Sequence, residues 1–496
     1  MNCKNCGNPL APDVEFCGFC GTAVKDKADN PKYQEKKKGL NNTTKAALLI
    51  MILAFCILGV SVFIFVSRGQ QALSKTDETT AAVDTAVATS TESYTPAVDE
   101  TIQANNVNNT TNASTETTVS VPDETQPSKT NHPPEPTLNK DGFYELYTAE
   151  HMVWFNKQYV NNKKNNLNAI LMADIDLNNG YVFNSDGSAE YNGKTVSDGW
   201  YKWNSIGTFD KELWYTGVFD GNGHTIRGIY TSAKDTDYIG VFGCIYETAC
   251  VKNLTIENSF FYGYNETGGI VGQNYGVVDN CCYKGVVRGN VSVGGIVGQN
   301  FGTVKNCTNN GRIEGNYGIG GVIGDNGGTA QDCHNTGSVY GIHDRVGGVV
   351  GGNDITIKEC TNSGKVTGFD QVGGIVGVSG DYGELYNCSN SGNVKGHDMV
   401  GGIGGCVDKT HDSSNSGSVE GNKSVGGAFG VAYWSVEGCN NSGTVIGNSW
   451  VGGFAGLFTS EVIDCAYSRN SADYGIGFCS EHQTEHCDAH DLKVYD

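Results

Sequence analysis

A Gly-Gly pair recurs eight times in the C-terminal half of this 496-residue chain. The pairs follow one another at intervals of 25 to 28 residues and begin at Gly268, Gly294, Gly320, Gly347, Gly373, Gly401, Gly426 and Gly452. A period this regular indicates supersecondary units stacked on one another, not a globule around one central core. It therefore predicts a repeat fold, and it favours functions that a rigid, grooved surface performs.

Each repeat also carries a cysteine, except one that has Ser413 in its place; the cysteines are Cys281, Cys307, Cys333, Cys360, Cys388, Cys439 and Cys465. Apolar residues lie mostly three positions before this cysteine and six after it, and asparagine lies two after it in six repeats. Glycines follow four and eight positions after it, for example Gly311 and Gly315. The alternation of valine with polar residues predicts three short β-segments per repeat, separated by Gly and Asn corners.

These features predict an all-β fold, a three-sided β-solenoid with one repeat of about 26 residues per coil. Stacked coils lie ~4.8 Å apart, so equivalent positions fall on top of one another. The valines then form a core, and the asparagines form a hydrogen-bonded ladder at a turn. We interpret the cysteines as small buried hydrophobes, with a disulfide or metal array as the alternative. Thr410 and Ser413 make the 401–425 coil the least apolar, and we expect it to be the weakest.

The repeat reads G-G-[IV]-V-G-x-N-x-G-x-[IV]-x-N-C-x-N-x-G-x-V-x-G, and it resembles the GLUG-motif repeats of bacterial surface proteins. The preceding segments 171–177 and 217–226 resemble the first coils of that family. The likeness covers about residues 143–465, with clear repeats over 268–465. It implies a surface-displayed solenoid, and with the usual crossover rule it implies right-handed stacking. It does not indicate an activity, because the members of that family are mostly uncharacterised or resemble adhesins, and some are attached to separate peptidase domains.

A membrane anchor is predicted at residues 46–66, which are uncharged and mostly apolar. About 20 such residues cross a bilayer as a helix. Because 45 residues precede the segment, we interpret it as an uncleaved signal anchor and not as a signal peptide. Lysines are concentrated before it, in the basic linker of residues 25–45, so the positive-inside rule places the N-terminus in the cytoplasm and the solenoid outside. The linker would contact anionic lipid headgroups.

A zinc ribbon is predicted at residues 1–24, where two Cys-x-x-Cys pairs lie ten residues apart: Cys3, Cys6, Cys17 and Cys20. Four thiolates suit one tetrahedral Zn²⁺ and leave no open catalytic position, so the zinc is expected to be structural. A redox pair is the alternative, but it lacks the βαβ context of a thioredoxin-like motif. The segment resembles the small zinc ribbons at the N-termini of many bacterial membrane proteins, which implies a cytoplasmic protein partner.

Residues 67–140 are rich in Thr, Ser, Asn and Pro, and their low hydrophobicity predicts a disordered stalk. Beyond the anchor, 25 basic and 49 acidic residues give an acidic outer part. This balance argues against nucleic acid as a partner and permits neutral glycans, cationic partners or calcium.

Both ends of the solenoid, placed at residues 141–465, are predicted to be capped. Leu146, Met152, Phe155 and Tyr159 are spaced as in a short amphipathic helix at the N-terminal end. Residues 466–496 would form the C-terminal cap. Its Cys479 and Cys487 are candidates for a local disulfide, which the sequence leaves open.

Ligand-binding and catalytic residues are less sharply indicated than the fold. Aromatic side chains that could stack on sugar rings are Tyr230, Tyr238, Phe260, Phe261 and Tyr262. Two groups of loop residues could each cluster: Asp398, Asp408, His411 and Asp412, and separately Asp344, Arg345, Asp354 and Asp370. The alternate oxygens of Asp174, Asp176 and Asn178 resemble a calcium loop, although they also fit an ordinary strand. Asp220-Gly-Asn-Gly223 is predicted to be a turn.

Three functions follow from these observations. The first is a membrane-anchored cell-surface protein whose solenoid binds a glycan or a protein, without enzymatic activity. The second is a transmembrane sensor or assembly factor that acts through the zinc ribbon. The third is a β-helical polysaccharide-processing enzyme, which is disfavoured because no pattern of acids recurs on adjacent coils.

Overall fold

The computed structural model describes residues 133–208, 210–459, 461–479, 484–487 and 492–495. The predicted zinc ribbon, basic linker and membrane span, and most of the stalk, lie outside these residues. In the described part of the chain, no helix is both long enough and apolar enough to cross a membrane.

A parallel β-solenoid forms from residue 143 onwards, as the repeat predicts. Strands of successive coils pair in parallel: Ile323–Asn326, for example, pairs with Val297–Asn300 before it and with Val350–Asn353 after it. The solenoid strands form three sheets, which we call sheets 1, 2 and 3, and three further strands form a small antiparallel sheet. The predicted solenoid is therefore confirmed; its right-handedness stays a prediction.

Sheet 1 is the largest, and its strands are Phe143–Leu146, Asn168–Leu171, Val218–Asp220, Phe242–Ile245, Cys250–Lys252, Val271–Asn274, Val277–Asp279, Val297–Asn300, Thr303–Lys305, Ile323–Asn326, Thr329–Gln331, Val350–Asn353, Thr356–Lys358, Val376–Ser379, Glu384–Tyr386, Gly404–His411, Phe429–Glu437, Ala455–Phe458, Glu461–Ile463, Ile476–Cys479 and Thr484–Cys487. Sheet 2 contains Ile175–Asp176, Thr225–Arg227, Tyr230–Ser232, Thr255–Tyr262, Cys282–Arg288, Thr308–Asn309, Arg312–Gly315, His334–Asn335, Val339–Gly341, Thr361–Asn362, Val366–Thr367, Ser389–Asn390, Val394–Lys395, Ser414–Asn415, Val419–Glu420, Asn440–Asn441, Val445–Ile446, Ala466–Ser468 and Lys493–Tyr495. Sheet 3 contains Asn265–Gly268, Val291–Gly294, Tyr317–Gly320, Val346–Gly347, Asp370–Gly373, Asp398–Gly401, Lys423–Gly426 and Ser449–Gly452.

A typical coil has five short strands and not the three predicted segments. One coil passes through Tyr317–Gly320 in sheet 3, Ile323–Asn326 and Thr329–Gln331 in sheet 1, and His334–Asn335 and Val339–Gly341 in sheet 2. The Gly-Gly pair is where the chain leaves sheet 3 for sheet 1. A Cβ atom on Gly320 would overlap the carbonyl oxygen of Ile323, so the corner is too tight for any side chain.

The interior columns match the predicted ones. The apolar residues three before the cysteine, such as Val304, Ile357 and Leu385, are fully buried. All seven column cysteines are at most 1% exposed. Their thiols face main-chain carbonyls, as Cys307 Sγ does at 3.1 Å from Lys305 O, and the cysteines are free. The interpretation as buried small hydrophobes is confirmed.

Two asparagine ladders run through the interior of the solenoid. The repeat pattern predicts one of them. In the expected ladder each amide donates to the next at 2.7 to 2.8 Å, through Asn309, Asn335, Asn362, Asn390, Asn415 and Asn441. A second ladder, at the ends of the sheet 1 strands, runs through Asn274, Asn300, Asn326 and Asn353 to Ser379. Both ladders are buried, so their hydrogen bonds form away from water.

The 401–425 coil has polar side chains at two core positions, as its sequence predicts. Thr410 replaces an apolar residue of the core, its side chain is 0% exposed, and its hydroxyl has no hydrogen-bond partner. Ser413 is better accommodated, because its Oγ accepts from Cys388 N at 3.1 Å and donates to His411 O at 2.9 Å. The weakness of this coil stays a prediction, and the structure favours Thr410 over Ser413 as its source.

A strand and a helix open the solenoid. Leu146 belongs to the strand Phe143–Leu146, which pairs with Asn168–Leu171, and only then does helix α1, Ala149–Asn162, begin. The inclusion of Leu146 in the helix was wrong, because Thr148 caps the helix N-terminus with its side chain. Met152, Phe155 and Tyr159 are buried as predicted. The Phe155 ring lies 5.6 Å from that of Phe219, so the helix covers the first coils.

At the other end, Thr484–Cys487 runs antiparallel to Ile476–Cys479 and interrupts the parallel stacking. Cys479 pairs with Thr484, and Cys487 pairs with Ile476. This register offsets the two cysteines by three residues, or about 10 Å along a strand. Such a spacing exceeds the Cα separation of a disulfide, so the register argues against the bridge that the sequence left open.

Candidate ligand-binding groove

One outward-facing column of sheet 2 combines tyrosines with a central charged pair. Tyr262 lies opposite Arg288 on the next coil, Arg288 lies opposite Glu314, and Glu314 lies opposite Tyr340. Each of these residues follows the inward-facing Val or Ile of its strand, apart from Tyr262, which follows Phe261. Strand alternation therefore turns their side chains outward.

A second column runs parallel to the first along the neighbouring corner. Its members are Tyr264, Asn290, Asn316 and Ile342. The main-chain N–H of Asn290 donates to Tyr264 O at 2.6 Å, and that of Asn316 donates to Asn290 O at 3.0 Å. The Asn316 side-chain amide also donates to Asn290 Oδ1 at 2.8 Å. These contacts fix the corner from coil to coil.

The two columns border a groove of about 400 Å³, to which Lys234 and Asp235 also contribute. Glycines such as Gly289 and Gly315 lie between the columns, and a Cβ atom on either would crowd the buried Val293 side chain. Tyr264 is 46% exposed and Tyr340 is 40% exposed, so each offers a ring edge or face to solvent. The size falls within the range of pockets that hold small ligands.

Charges within the groove are largely compensated. Arg288 Nε lies 2.7 Å from Glu314 Oε2, and Arg312 also pairs with the Glu314 carboxylate. The groove thus offers tyrosine rings, tyrosine hydroxyls, asparagine amides and a neutralised ion pair. Aromatic faces with convergent polar groups suit a neutral, polyhydroxylated ligand better than a highly charged one.

Of the five aromatic residues proposed for sugar stacking, the structure places only Tyr262 in this groove. Tyr230, Phe260 and Phe261 are 7%, 1% and 0% exposed, so their proposed role was wrong. An antiparallel hairpin formed by Tyr181–Phe183, Ala189–Tyr191 and Lys194–Val196 covers Tyr230 and Phe260. Phe261 instead packs in the solenoid core. Burial raises the pKa of Tyr238, which also lies outside the groove.

The structure regroups the two predicted clusters of acids. Asp398 lies in sheet 3 opposite Asp370, whereas Asp408 and His411 lie on a strand of sheet 1. His411 Nδ1 lies 3.5 Å from Glu437 Oε2. Asp412 follows that strand, with a left-handed φ of 48°. The predicted cluster of Asp398 with Asp408, His411 and Asp412 was therefore wrong.

The second predicted cluster is divided in the same way. Arg345 and Asp354 line a cavity of about 240 Å³ together with Asp325. The Arg345 guanidinium lies 3.8 Å from the Asp325 carboxylate. Asp370 lies in the sheet 3 column that contains Asp398, and of the predicted cluster Asp344 is near enough to interact with it electrostatically.

Asp174 and Asn178, two of the residues that resemble a calcium loop in sequence, make hydrogen bonds to neighbouring loops. Asp174 Oδ1 accepts from the main-chain N–H of Thr225 at 3.0 Å, and Asp174 Oδ2 lies 3.5 Å from Arg227. Asn178 donates to Tyr201 O and to Gly228 O. These contacts join neighbouring loops. Asp220-Gly-Asn-Gly223 is a turn as predicted, in which Asp220 Oδ1 accepts from Asn222 N at 2.8 Å.

Comparisons with known proteins support the repeat. The family described as "The GLUG motif" matches residues 289–314, 344–367 and 371–395. Halomucin of Haloquadratum walsbyi is 32% identical over 93 residues, which is 18% of this chain and 1% of halomucin. A protein of Evansella cellulosilytica, provisionally named a Gly-rich membrane protein, is 36% identical over 81 residues, 16% of this chain and 9% of that protein.

The chain thus spans only a small fraction of the length of these two relatives, and the similarity is confined to part of the chain. No solved structure matches the chain significantly. GLUG repeats are present in this chain, and the name of one relative points to a membrane protein.

Proposed function

We propose that this chain is a bacterial cell-surface protein, anchored by the apolar segment 46–66, whose β-solenoid binds an extracellular ligand. The observation that carries the proposal is the groove between the Tyr262–Tyr340 column and the Tyr264–Ile342 corner. A neutral glycan suits this groove best, because tyrosine rings stack on sugar faces while asparagine amides donate to hydroxyls. A protein ligand is the alternative that the groove's size also permits.

The remaining parts of the proposal rest on the sequence. The Cys3, Cys6, Cys17 and Cys20 thiolates would hold one structural Zn²⁺ in the cytoplasm, where the ribbon would bind a protein partner. The single span would place the stalk and the solenoid outside the cell. The acidic outer part favours a ligand that is not nucleic acid.

We further propose that the solenoid binds without catalysis. Two carboxylates line the groove, those of Asp235 and Glu314, and the Glu314 carboxylate is paired with Arg288 and Arg312. Glycoside hydrolysis needs two carboxyl groups that flank the scissile bond. Because two arginines hold the Glu314 carboxylate, the groove does not present two free carboxyl groups.

A binding panel tests this function. Full-length protein in detergent is passed over immobilised neutral, acidic and amino-substituted polysaccharides and over matrix proteins. We expect saturable retention on neutral polysaccharides, with no release of shorter sugars on prolonged incubation. Absence of retention on every surface would contradict the proposal and favour a function carried by the zinc ribbon. Release of shorter sugars would contradict the non-catalytic assignment.

A further inference from the structure

A compact group of two carboxylates and one imidazole lies outside the groove, on a corner of two adjacent coils. The ligand atoms of Asp370, His397 and Asp398 all lie within 4.8 Å of one another. His397 Nδ1 is 3.2 Å from Asp398 Oδ1 and 3.5 Å from Asp370 Oδ1. In a tetrahedral site with bonds of 2.0 to 2.2 Å, neighbouring ligand atoms are about 3.3 to 3.6 Å apart. The two distances from His397 Nδ1 are therefore close to the spacing of zinc ligands.

The surrounding fold holds each of these side chains in place. The His397 ring stacks on Phe369, with centroids 4.7 Å apart and an interplanar angle of 1°. Asp370 Oδ1 accepts from the main-chain N–H of Asp398 at 3.0 Å, which ties the two coils together. The Asn422 amide donates to Asp398 Oδ1 at 3.2 Å. Outer contacts of this kind orient the ligands of a metal site before the metal arrives.

Three carboxylates lie close together at this corner, because Asp344 is also near enough to Asp370 to interact with it electrostatically. Lys423 lies opposite Asp398 on the next coil, but its ammonium lies over the Trp450 ring, 4.1 Å from the ring centroid. A bound divalent cation would relieve this repulsion.

We propose that Asp370, His397 and Asp398 bind one divalent transition-metal ion of the Zn²⁺ class and thereby connect two coils of the solenoid. One nitrogen and two carboxylate ligands suit Zn²⁺ better than Ca²⁺, which prefers six to eight oxygens. Water would complete the coordination, because the His397 side chain is 48% exposed. This site is separate from the predicted zinc ribbon, whose ligands are all thiolates.

Zinc titration of the full-length protein tests the proposal. Zinc in the thiolate ribbon is expected to co-purify, so the readout is the additional Zn²⁺ taken up per chain, measured by equilibrium dialysis and metal analysis. We expect one additional Zn²⁺ in the wild type, and at least about tenfold weaker uptake in His397→Ala and in Asp398→Asn. Asp370→Asn serves as a further variant should either of these fail to fold.

His343→Ala is the matched control, because His343 lies two coils earlier on the same corner and stacks on Tyr317 but is not part of the Asp/His group. It should take up the additional Zn²⁺ like the wild type. The proposal is overturned by a wild type that takes up no additional Zn²⁺. It is equally overturned by unchanged uptake in His397→Ala and Asp398→Asn, or by equal loss in His343→Ala.

Discussion

Asn335 uses every hydrogen-bonding position of its side chain in the interior of the solenoid. Its Nδ2 donates to Asn362 Oδ1 at 2.8 Å and to Gly337 O at 3.0 Å. Its Oδ1 accepts from Asn309 Nδ2 at 2.8 Å and from Gly337 N at 3.2 Å. Each asparagine thus joins two coils and closes its own turn. The repeat therefore tolerates a buried polar column, because no member of this part of the ladder is left unsatisfied.

Breaking this ladder should cost more than an ordinary polar substitution. We expect Asn362→Ala to lower the free energy of unfolding by about 3 kcal/mol, because it removes one hydrogen-bond partner from the buried Asn335 amide and one from the buried Asn390 carbonyl oxygen. The urea midpoint of the full-length protein, followed by circular dichroism, measures the effect. Asn393→Ala, at an exposed position, is the control and should change stability by less than about 0.5 kcal/mol. Equal effects of the two variants would refute the role given to the ladder.

The period of the sequence was enough to predict the interior columns. Residues such as Val304, Cys307 and Asn309 recur at the same position, and stacking identical positions puts them in register. The groove was missed for the opposite reason: Tyr262, Arg288, Glu314 and Tyr340 occupy equivalent positions but are chemically unlike. Aligning the repeats and reading the residue after the inward-facing valine would have revealed this outer column.

Other features depended on contacts that repeat periodicity does not encode. The burial of Tyr230 and Phe260 depends on the antiparallel strands that begin at Tyr181. These strands are inserted in the sequence between two early coils and do not follow the repeat. Asp370 and Asp398, by contrast, each lie three residues before a Gly-Gly pair, so aligning the repeats would have placed them on adjacent coils, as sheet 3 does. The division of a coil into five strands depends on where the backbone turns tightly, as it does between Gly320 and Ile323.

Thr410 offers a way to strengthen the solenoid. We expect Thr410→Val to stabilise the protein by about 1 to 2 kcal/mol, because it removes a buried hydroxyl that has no partner and keeps the β-branched shape. Ser413→Cys is the comparison variant, and it restores the cysteine of the repeat three residues further along the same coil. It should change stability little, since Ser413 already makes two hydrogen bonds. Thermal unfolding followed by circular dichroism distinguishes the two. Destabilisation by Thr410→Val would show that the hydroxyl is satisfied.

Glu266 should make stability depend on pH. Its pKa is raised to about 7, first by burial and then by the charges of Asp237 and Asp325. The folded state therefore holds a proton that the unfolded state loses near pH 4.5, so this residue's contribution to stability falls as pH rises from about 4.5 to 7. Glu266→Gln should remove that fall, giving a gain of about 1 to 2 kcal/mol at pH 8 after allowing for solvent screening, and little change at pH 4.

Urea unfolding of the wild type and of Glu266→Gln at pH 4, 6 and 8 measures this difference. A gain that is the same at all three pH values would contradict a role for the Glu266 proton. Glu420→Gln, at an exposed pair with Lys395, is the control and should show no comparable trend.

The predicted zinc ribbon can be tested by the zinc content of the full-length protein. We expect full-length protein to retain one Zn²⁺ per chain after dialysis against metal-free buffer, and Cys6→Ser to lose most of it, because three thiolates hold the ion less well than four. Metal analysis of the dialysed proteins measures the content. Cys282→Ser, a half-buried cysteine outside the repeat's cysteine column, is the control and should retain zinc. Zinc-free wild type would refute the ribbon.

Ligand binding by the groove is the central claim, and one comparison of variants tests it most directly. The measurement is the affinity of full-length protein for the polysaccharide that retains it, determined for wild type, Tyr340→Ala and Tyr382→Ala. Tyr340 borders the groove, whereas Tyr382 is 82% exposed and lies outside it. We predict that Tyr340→Ala weakens binding about tenfold, or about 1.4 kcal/mol, through loss of ring stacking, and that Tyr382→Ala binds like the wild type. Unchanged affinity in Tyr340→Ala, or an equal loss in Tyr382→Ala, would contradict the assignment of the groove.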